Sequence, residues 1–424
     1  MRPSRSASQA PIPAFPDPGE PLRTLVRGAF PGGVAVAPAS DGRQSVEETR
    51  RLLSEGQSLI YGAAFAAEGI LATFDVLQQR NGRWYGYLFR PSTRVKEWHL
   101  TDAALHEYVI RQSGIQLADV YVLLLNMQYV RRGALSAPDL FQAERITRRL
   151  RAQQSGLRGR MQMLKRRAAK SARDTPAGEP PPVSPQRGRA APAPDRTGTP
   201  GDNAPVALEV DRAALGTFLE GLRYPLYFMD FEAYQTAVPE YDGHWPFRQL
   251  PFQFSVHRID APGGPMHHEA FIAPPKAEPT GPFVEALLRA TGSEGSVLVY
   301  NLDSEQLILD HLEGDHPRWA APIEALRRRL VDLMLPFSRR YIQVPGIGNK
   351  ISLKYMLPAL VPEMSYALLV IGSGDEANQA YNALRGSDDP AFIEKTCADL
   401  LDYCAVDTLA MVKILEKMRE LAAG

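Results

Sequence analysis

Two acidic residues lie two positions apart in an otherwise apolar segment, YPLYFMDFEAY, near the middle of the chain. Such a segment predicts a strand, and alternate residues of a strand project from one face, so Asp230 and Glu232 should be neighbours. Carboxylates among Phe and Met side chains repel one another unless a cation compensates, and their oxygens suit Mg²⁺ or Mn²⁺. The alternative interpretation is an edge strand whose outward face is acidic.

Two further acids are candidates for the same chemistry. Tyr403 and Asp407 are four residues apart in a long amphipathic segment, where helical spacing makes them neighbours, although such a pair is usually ordinary surface or core. Asn301 ends the predicted strand SVLVYN, and Glu305 follows it in the first turn of a predicted helix, where an acid also favours the helix dipole. Asp303 competes with Glu305, but it is two residues from Asn301 and off the helix face that Glu305 would share with it.

Taken in order, these motifs resemble those of DEDD-type exonucleases, which have an RNase H-like fold. That family carries Asp-x-Glu on its first strand, Asn followed four residues later by an acid, and Tyr-x-x-x-Asp on a late helix. Its positions fall on Asp230, Glu232, Glu305, Tyr403 and Asp407. One departure is that the second acid is usually Asp after an aromatic residue, whereas Ser304 precedes Glu305 here. More narrowly, DFEAY, DGHWPFRQLPFQFSVH, NKISLKYMLPALVP and YCAVDTLAMV resemble a bacterial family known as domain of unknown function 2779, over nearly all of residues 222–416.

The resemblance implies a 3′-to-5′ exonuclease that hydrolyses phosphodiester bonds of DNA or RNA with two Mg²⁺ or Mn²⁺ ions per site. The ligands would be Asp230, Glu232, Glu305 and Asp407, and Tyr403 would orient the attacking water. We expect Asn301 and Lys354 to contact the substrate, Lys354 by neutralising a phosphate, although a single Lys is more often plain surface.

The N-terminal half resembles a RecB-like PD-(D/E)XK nuclease domain that has lost its site. Asp75, in FDVL, matches the first metal-binding acid of that domain, but the expected Glu-x-Lys falls on Leu88 and Arg90, and the usual Gln falls on His106. One acid holds a metal poorly, so the resemblance implies a degenerate, inactive domain. The cysteine cluster that often follows it is absent. We expect His99 and His106 to be surface histidines rather than a metal pair.

The elements that position these residues predict an α/β chain of two domains. SLIYGAAFA, GILATFDVLQQ and RWYGYLFR read as strands, with a hairpin turn at NGR; a helix over Asp102–Arg111 and the apolar strand ADVYVLLLNMQYV follow. In the second half, YPLYFMDFEAY, FQFSVHRID and HHEAFIA predict a three-strand meander. Helix PFVEALLRA, strand SVLVYN and a mostly helical remainder, through LRRRLVDLMLPF and the C-terminal segment, complete the β-β-β-α-β-α order of an RNase H-like mixed sheet.

Composition sets the domain limits. Residues 1–45 are rich in Pro, Ser, Ala and Gly and are predicted to be largely disordered, apart from an apolar stretch around Leu22–Phe30. Residues 46–150 form the degenerate nuclease domain and 206–424 the exonuclease-like domain. Between them, residues 151–205 carry the end of a basic stretch, Arg145–Arg173, with eleven Lys or Arg and no acid, and then a linker with nine prolines from Pro176 to Pro205.

Overall charge and cysteine content do not by themselves predict a function. The 48 basic and 48 acidic residues cancel, so nucleic acid could only be held by a local cluster such as Arg145–Arg173, which is otherwise a solvated helix face. Cys397 and Cys404 are the two cysteines and are expected to be buried reduced thiols, which suits a cytoplasmic protein. Prolines interrupt the N-terminus where a signal peptide needs an apolar stretch, and no segment is apolar for long enough to predict a membrane span.

Three functions remain open from the sequence. The first is the metal-dependent exonuclease. The second is a noncatalytic nucleic-acid-binding module with two relic nuclease folds, and the third is a scaffold for unidentified protein partners. Retention of every acid favours the first, because a pure binding protein has no reason to keep mutually repelling carboxylates.

Overall fold

The structure is a computed structural model of the chain, and it describes residues 12–13, 20–37, 42–153, 157, 159, 161–162, 208–366 and 369–424. These residues form two compact units. Unit 1 contains the described residues up to 162 together with Thr236–Phe247, and unit 2 contains those from 208 onward without that segment. The predicted Pro-rich linker and most of the basic stretch lie outside the described residues.

Unit 1 is built on a seven-stranded mixed sheet. Its strands are β1 (Ile12–Pro13), β2 (Val34–Ala35), β3 (Leu59–Ala67), β4 (Ile70–Arg80), β5 (Arg83–Phe89), β6 (Leu117–Leu125) and β7 (Phe141–Arg145). They lie in the order β2-β3-β4-β5-β6-β7, and β1 pairs with β4 beside this path. The predicted meander of β3, β4 and β5 is confirmed. Its second hairpin turns at Asn81 and Gly82, whose φ angles of 50° and 69° explain the Asn-Gly pair.

The described helices of unit 1 flank this sheet. They are α1 (Glu20–Ala29), α2 (Gly42–Ser54), α3 (Glu97–Gln112), α4 (Ala137–Leu140) and α5 (Thr147–Gln153). Helix α3 contains the predicted Asp102–Arg111 and buries Leu105 and Val109 in one core with Phe74. Helix α1 covers most of the apolar stretch around Leu22–Phe30 that was excepted from the disorder predicted for residues 1–45, and its Val26 is buried in a second core with Phe89. Strand β2 lies outside that stretch, where little order was expected.

Unit 2 is built on a five-stranded mixed sheet. Its strands are β9 (Leu226–Tyr234), β10 (Leu250–Ile259), β11 (Met266–Ile272), β12 (Ser296–Val299) and β13 (Leu330–Asp332), and the short β8 (Glu209–Val210) and β14 (Ile342–Gln343) pair separately. The order is β11-β10-β9-β12-β13. The first three strands form the predicted antiparallel meander, whereas β12 and β13 run parallel to β9. Because β9 is the central strand, the edge-strand interpretation of its two acids is wrong.

The described helices of unit 2 are α6 (Arg212–Glu220), α7 (Thr280–Thr291), α8 (Leu302–Asp315), a 3₁₀ turn (Pro317–Trp319), α9 (Ala320–Arg327), α10 (Leu335–Ser338), α11 (Leu353–Leu360), α12 (Gly374–Arg385) and α13 (Pro390–Ala423). The predicted β-β-β-α-β-α order is confirmed. The prediction of a mostly helical LRRRLVDLMLPF is wrong, because β13 lies inside it: three apolar or acidic residues extend the sheet beside β12. Across the described part of both units, no helix is long and apolar enough to cross a membrane.

Strand β9 is covered on both faces, which explains its apolar composition. Tyr227, Met229 and Phe231 pack in one core with Phe283 of α7. Leu226 and Phe228 project to the other face and share a core with residues of α13. Asp230 and Glu232 continue this second series, so alternation along the strand directs both carboxylates toward the side that α13 covers. The sheet and one long helix therefore determine where the acids meet.

The two cysteines both lie on α13 and are free. Cys404 is fully buried, as expected. The expectation that Cys397 is also buried is wrong: it is only partly covered, because it precedes the stretch of α13 that packs against β9.

Candidate active site

Three predicted acids converge in unit 2. Asp230 and Glu232 come from β9 and Asp407 from α13, and each offers a carboxylate oxygen within 4.8 Å of the other two. Helix and strand are held close here, since the Cys404 thiol lies 3.7 Å from the backbone oxygen of Asp230. Residues 177 positions apart are thus brought into reach of one ion by the packing of α13 on the sheet.

The environment of these acids disfavours their charged forms. Glu232 and Asp407 are only 7% and 6% exposed, and Asp230 is partly exposed. Burial raises the pKa of Glu232 to about 8 and the pKa of Asp407 to about 6. Burial also raises the pKa of Asp230 well above its usual range, and the nearby charges of Asp407, Glu232 and Glu305 raise it further. Buried carboxylates that repel one another lose their protons readily only when a cation compensates the resulting negative charge.

Two tyrosines contact Asp407. The hydroxyl of Tyr366 donates a hydrogen bond of 2.5 Å to its Oδ1, and Tyr403, one helical turn before it on α13, also bonds to it. Both bonds lower the pKa of Asp407, against the larger effect of burial. Tyr403 was predicted from its spacing. Tyr366 was missed, because it follows α11 in a loop and has no fixed spacing to any acid.

Lys354 supplies a positive charge beside the cluster. It is the second residue of α11, and its Nζ donates a 2.6 Å hydrogen bond to the backbone oxygen of Gly372. Nζ lies 5.5 Å from the centre of the Tyr403 ring and 5.9 Å from that of Tyr366. Its charge lowers the pKa of both Glu232 and Asp407, which burial raises more strongly. The structure thus places this predicted residue at the acids.

Glu305 lies on α8, near the cluster but outside the group of three. It is 5% exposed, and within the described part of the chain its Oε2 has no hydrogen-bond partner. Burial raises its pKa to about 8. Asp303, the competing acid, is exposed. Asn301 precedes α8 with a left-handed φ of 78°, and its side chain donates to Ser304 Oγ at 2.9 Å.

All seven predicted residues line one cleft of about 710 Å³. They are Asp230, Glu232, Asn301, Glu305, Lys354, Tyr403 and Asp407. The donor set fits Mg²⁺ or Mn²⁺: it consists of carboxylate oxygens, three of them within reach of one ion, and the unpartnered Oε2 of Glu305 lines the same space. The cleft therefore has the carboxylate oxygens to bind a divalent cation, and it has room beside them for a polar ligand.

In unit 1, an arginine side chain lies between two buried acids. The Arg90 guanidinium lies 2.6 Å from Asp102 and 3.7 Å from Asp75, and all three side chains are largely buried. Asp75 also accepts a 2.7 Å hydrogen bond from the backbone N–H of Phe89. Asp102, on α3, was not singled out from the sequence, since its only signal is a single acid on the buried face of a helix. Arg90 thus neutralises the two acids that converge here.

The expectation that His99 and His106 lie on the surface is wrong. They are 1% and 2% exposed. His106 Nδ1 lies 2.9 Å from the backbone oxygen of Asp102, and His99 Nδ1 accepts from the backbone N–H of Lys96 at 3.0 Å. Burial lowers the pKa of both rings, to about 4 for His99, so they are neutral components of the unit 1 core.

Comparison with known proteins yields one match. Residues 227–352 match the model of a family described as Domain of unknown function (DUF2779), which supports the resemblance to that family over this stretch. The matched residues include Asp230, Glu232, Asn301 and Glu305. No curated protein and no solved structure matches the chain.

Proposed function

We propose that unit 2 is a metal-dependent 3′-to-5′ exonuclease that hydrolyses phosphodiester bonds of DNA or RNA. The observation that carries this proposal is the convergence of Asp230, Glu232 and Asp407 within 4.8 Å, with Tyr403 beside them in the same cleft. Such an arrangement is costly for stability, because it places repelling carboxylates in a largely buried position. A site that holds cations for catalysis accounts for this cost.

The strand order supports an RNase H-like fold for unit 2. Counted along the chain within the five-stranded sheet, the strands lie in the order 3-2-1-4-5, and only the second is antiparallel to the central first strand. The resemblance to DEDD exonucleases implies two acids at alternate positions of the first strand and a further acid on the last helix. The degenerate PD-(D/E)XK-like character of unit 1 is part of the same proposal and rests on Arg90, which occupies the region of Asp75 where that resemblance implies a metal.

Each residue has a role that follows from its position. Asp230, Glu232 and Asp407 would hold the cations, with Glu305 completing the set from α8. When bound, a pair of divalent cations supplies an activated water and charge compensation for the leaving 3′ oxygen. Tyr403 orients that water from α13. Lys354 holds positive charge at the acids and faces the phosphate of the substrate.

Hydrolysis of labelled DNA and RNA single strands with Mg²⁺ or Mn²⁺ tests the proposal. We expect the wild type to release mononucleotides from the 3′ end, Asp230→Ala and Asp407→Ala to release none, and Tyr403→Phe to be slower but active. Asp303→Ala is the matched control, since Asp303 is an exposed acid on the same helix turn as Glu305. An Asp230→Ala protein that digests at the wild-type rate contradicts the proposal.

A further inference from the structure

A second cavity continues from the acidic cleft. It has a volume of about 600 Å³ and is formed largely by the loop Val344–Asn349 and the residues around Arg340. Asn349 and Ile351 line both cavities, so the two spaces adjoin at these residues. None of the seven predicted site residues lines the second cavity, and therefore the function proposed above leaves it unassigned.

The residues along this route are suited to a polyanion. Arg340 lines the second cavity, and Lys350 and Lys354 line the acidic cleft. The second cavity is also lined by one acid, Glu209, which accepts a 3.1 Å hydrogen bond from the side chain of Gln343. Within the described residues, none of these three side chains forms an ion pair with an acid, unlike Arg327 or Arg51 elsewhere on the surface. Arg340 and Lys350 are thus available for phosphates along the two cavities, and Lys354 also offsets the charge of Glu232 and Asp407.

The loop itself presents backbone donors. Gly346 and Gly348 have φ angles of 84° and 62°, and they alternate with residues at negative φ. Such alternation turns N–H groups toward one side, where they can bind an anion. The N–H of Ile347, between the two glycines, is used within the loop, in a 3.4 Å hydrogen bond to the backbone oxygen of Val344. Gly346, Gly348 and Asn349 are exposed, and across the described ranges their N–H groups donate to no protein acceptor. A β-carbon added at either glycine would meet no atom within 4 Å, so a ligand can approach this backbone closely.

We infer that the second cavity binds the sugar-phosphate backbone of a single nucleic-acid strand upstream of the 3′ nucleotide held at the acids. This inference rests on the proposed exonuclease function, which makes the acidic cleft the end of the strand. A single strand is the occupant because a cavity of this volume is of small-ligand size and excludes a base-paired duplex. The contacts are to phosphates, and so DNA and RNA strands both fit.

The first test is the dependence of hydrolysis on strand length. For the wild type with Mn²⁺, kcat/KM should rise from a dinucleotide to a strand of about eight residues, a typical single-strand site size. Arg340→Ala should lower kcat/KM for the longer strand roughly tenfold, the usual effect of losing one charged hydrogen bond, and much less for the dinucleotide. Arg340→Lys should restore most of the loss. Arg339→Ala is the matched control, because this neighbouring exposed arginine does not line the cavity.

The second test is binding without hydrolysis, measured as fluorescence anisotropy of labelled DNA and RNA strands on the metal-free protein. Arg340→Ala should weaken binding and reduce the slope of log affinity against log salt by about 0.7, the value for one single-strand phosphate contact.

The two tests together distinguish this inference, the strand path through the second cavity, from the exonuclease proposal. If wild type, Arg340→Ala and Arg339→Ala have equal length dependence, affinity and salt slope, the strand path is overturned and the exonuclease proposal is left intact. Binding that depends on Arg340, without hydrolysis of any strand, overturns the exonuclease proposal and supports the strand path. A protein that neither binds nor hydrolyses single strands overturns both.

Discussion

The Tyr366 hydroxyl donates a 2.5 Å hydrogen bond to Oδ1 of Asp407, across 41 positions of sequence. Tyr403 approaches the same carboxylate from α13, so two phenols share one acid. These donors fix the orientation of the Asp407 carboxylate and lower its pKa, which burial raises more strongly. Tyr366 is therefore a positioning residue of the candidate site, although the DEDD resemblance contains only one tyrosine.

We expect Tyr366→Phe to weaken Mn²⁺ binding roughly tenfold, as is usual when a partner of a metal ligand is removed. Without this donor the pKa of Asp407 rises further above about 6, so the loss should be larger at pH 6 than at pH 8. Isothermal titration with Mn²⁺ at the two pH values measures both effects. Tyr381→Phe is the control, because it removes a buried hydroxyl that bonds to the backbone oxygen of Ala273. Equal affinities for the two variants would show that the Tyr366 bond has no role in the site.

The raised pKa values predict how the stability of the metal-free protein depends on pH. Glu232 and Glu305 have a pKa of about 8 in the folded chain, against an ordinary value of 4.5, so the folded state retains protons that the unfolded state has lost. This contribution to stability is fully present below pH 4.5 and is lost as pH rises through 8. Each retained proton makes the free energy of unfolding fall by about 1.4 kcal/mol per pH unit within that window.

The matched comparison is Glu305→Gln, which removes one titrating group with little change of volume. Its free energy of unfolding, from urea denaturation with chelator present, should fall less steeply between pH 5 and pH 8 than that of the wild type. Histidines titrate in both proteins and cancel in the difference. Loss of the Glu305 charge also lowers the pKa of Asp230 and Glu232, which changes the slope in the same direction. Parallel curves for the two proteins would mean that Glu305 is ionised at neutral pH and that its burial has been overcome by an unrecognised partner.

In unit 1, Arg90 should matter for stability rather than for catalysis. Arg90→Met leaves Asp75 and Asp102 buried without their cation, which we expect to destabilise unit 1 by about 3–5 kcal/mol. Adding Asp102→Asn to this variant should recover part of the loss, because one uncompensated charge is removed. Thermal unfolding measures both changes.

The nuclease activity of the whole chain gives an independent check on the role of unit 1. Asp75→Ala should leave nucleotide release by unit 2 at the wild-type rate, since the charge of Asp75 is already compensated by Arg90, 3.7 Å away. Loss of cation-dependent activity in a folded Asp75→Ala protein would show that unit 1 has kept a nuclease site.

The acid pair on β9 could be predicted from sequence because strand geometry fixes the relation between residues two apart. The same holds for Tyr403 and Asp407 at helical spacing. Relations that depend on the tertiary fold have no such local signal, and the convergence of the acids from distant segments was expected only from the resemblance to DEDD exonucleases. Tyr366 reaches Asp407 from a loop, and no local period connects the two.

Unit 1 also contains contacts that no local sequence pattern predicts. The burial of His99 and His106 follows from α3 packing on the sheet, whereas their sequence context offers no apolar stripe that would reveal it. Strand β13 was missed for a different reason: three residues are too few to show a period, and their pairing with β12 defines them. The sequence therefore predicts the acids of the candidate site, and the fold supplies the residues that contact them.

The last prediction separates a functional metal site from a relic without any substrate. Mn²⁺ that binds only the folded state at about a hundred times its Kd should stabilise it by about 2.7 kcal/mol and raise the melting temperature of unit 2 by a few degrees. Excess chelator should reverse the shift. Asp230→Asn keeps the volume of the side chain but removes a charge that Asp407, Glu232 and Glu305 repel.

The metal-free Asp230→Asn protein should therefore melt at or above the wild-type temperature and yet respond little to Mn²⁺. A higher melting temperature together with a lost response to Mn²⁺ is not expected for a carboxylate with only a structural role. Replacing such a carboxylate destabilises the fold whether or not a cation is present. Asp303→Asn is the control for the change of residue type, since this exposed acid should alter neither the melting temperature nor the response. If wild type and Asp230→Asn show equal shifts with Mn²⁺, the ion binds elsewhere, and a noncatalytic nucleic-acid-binding role becomes the better explanation of the cleft.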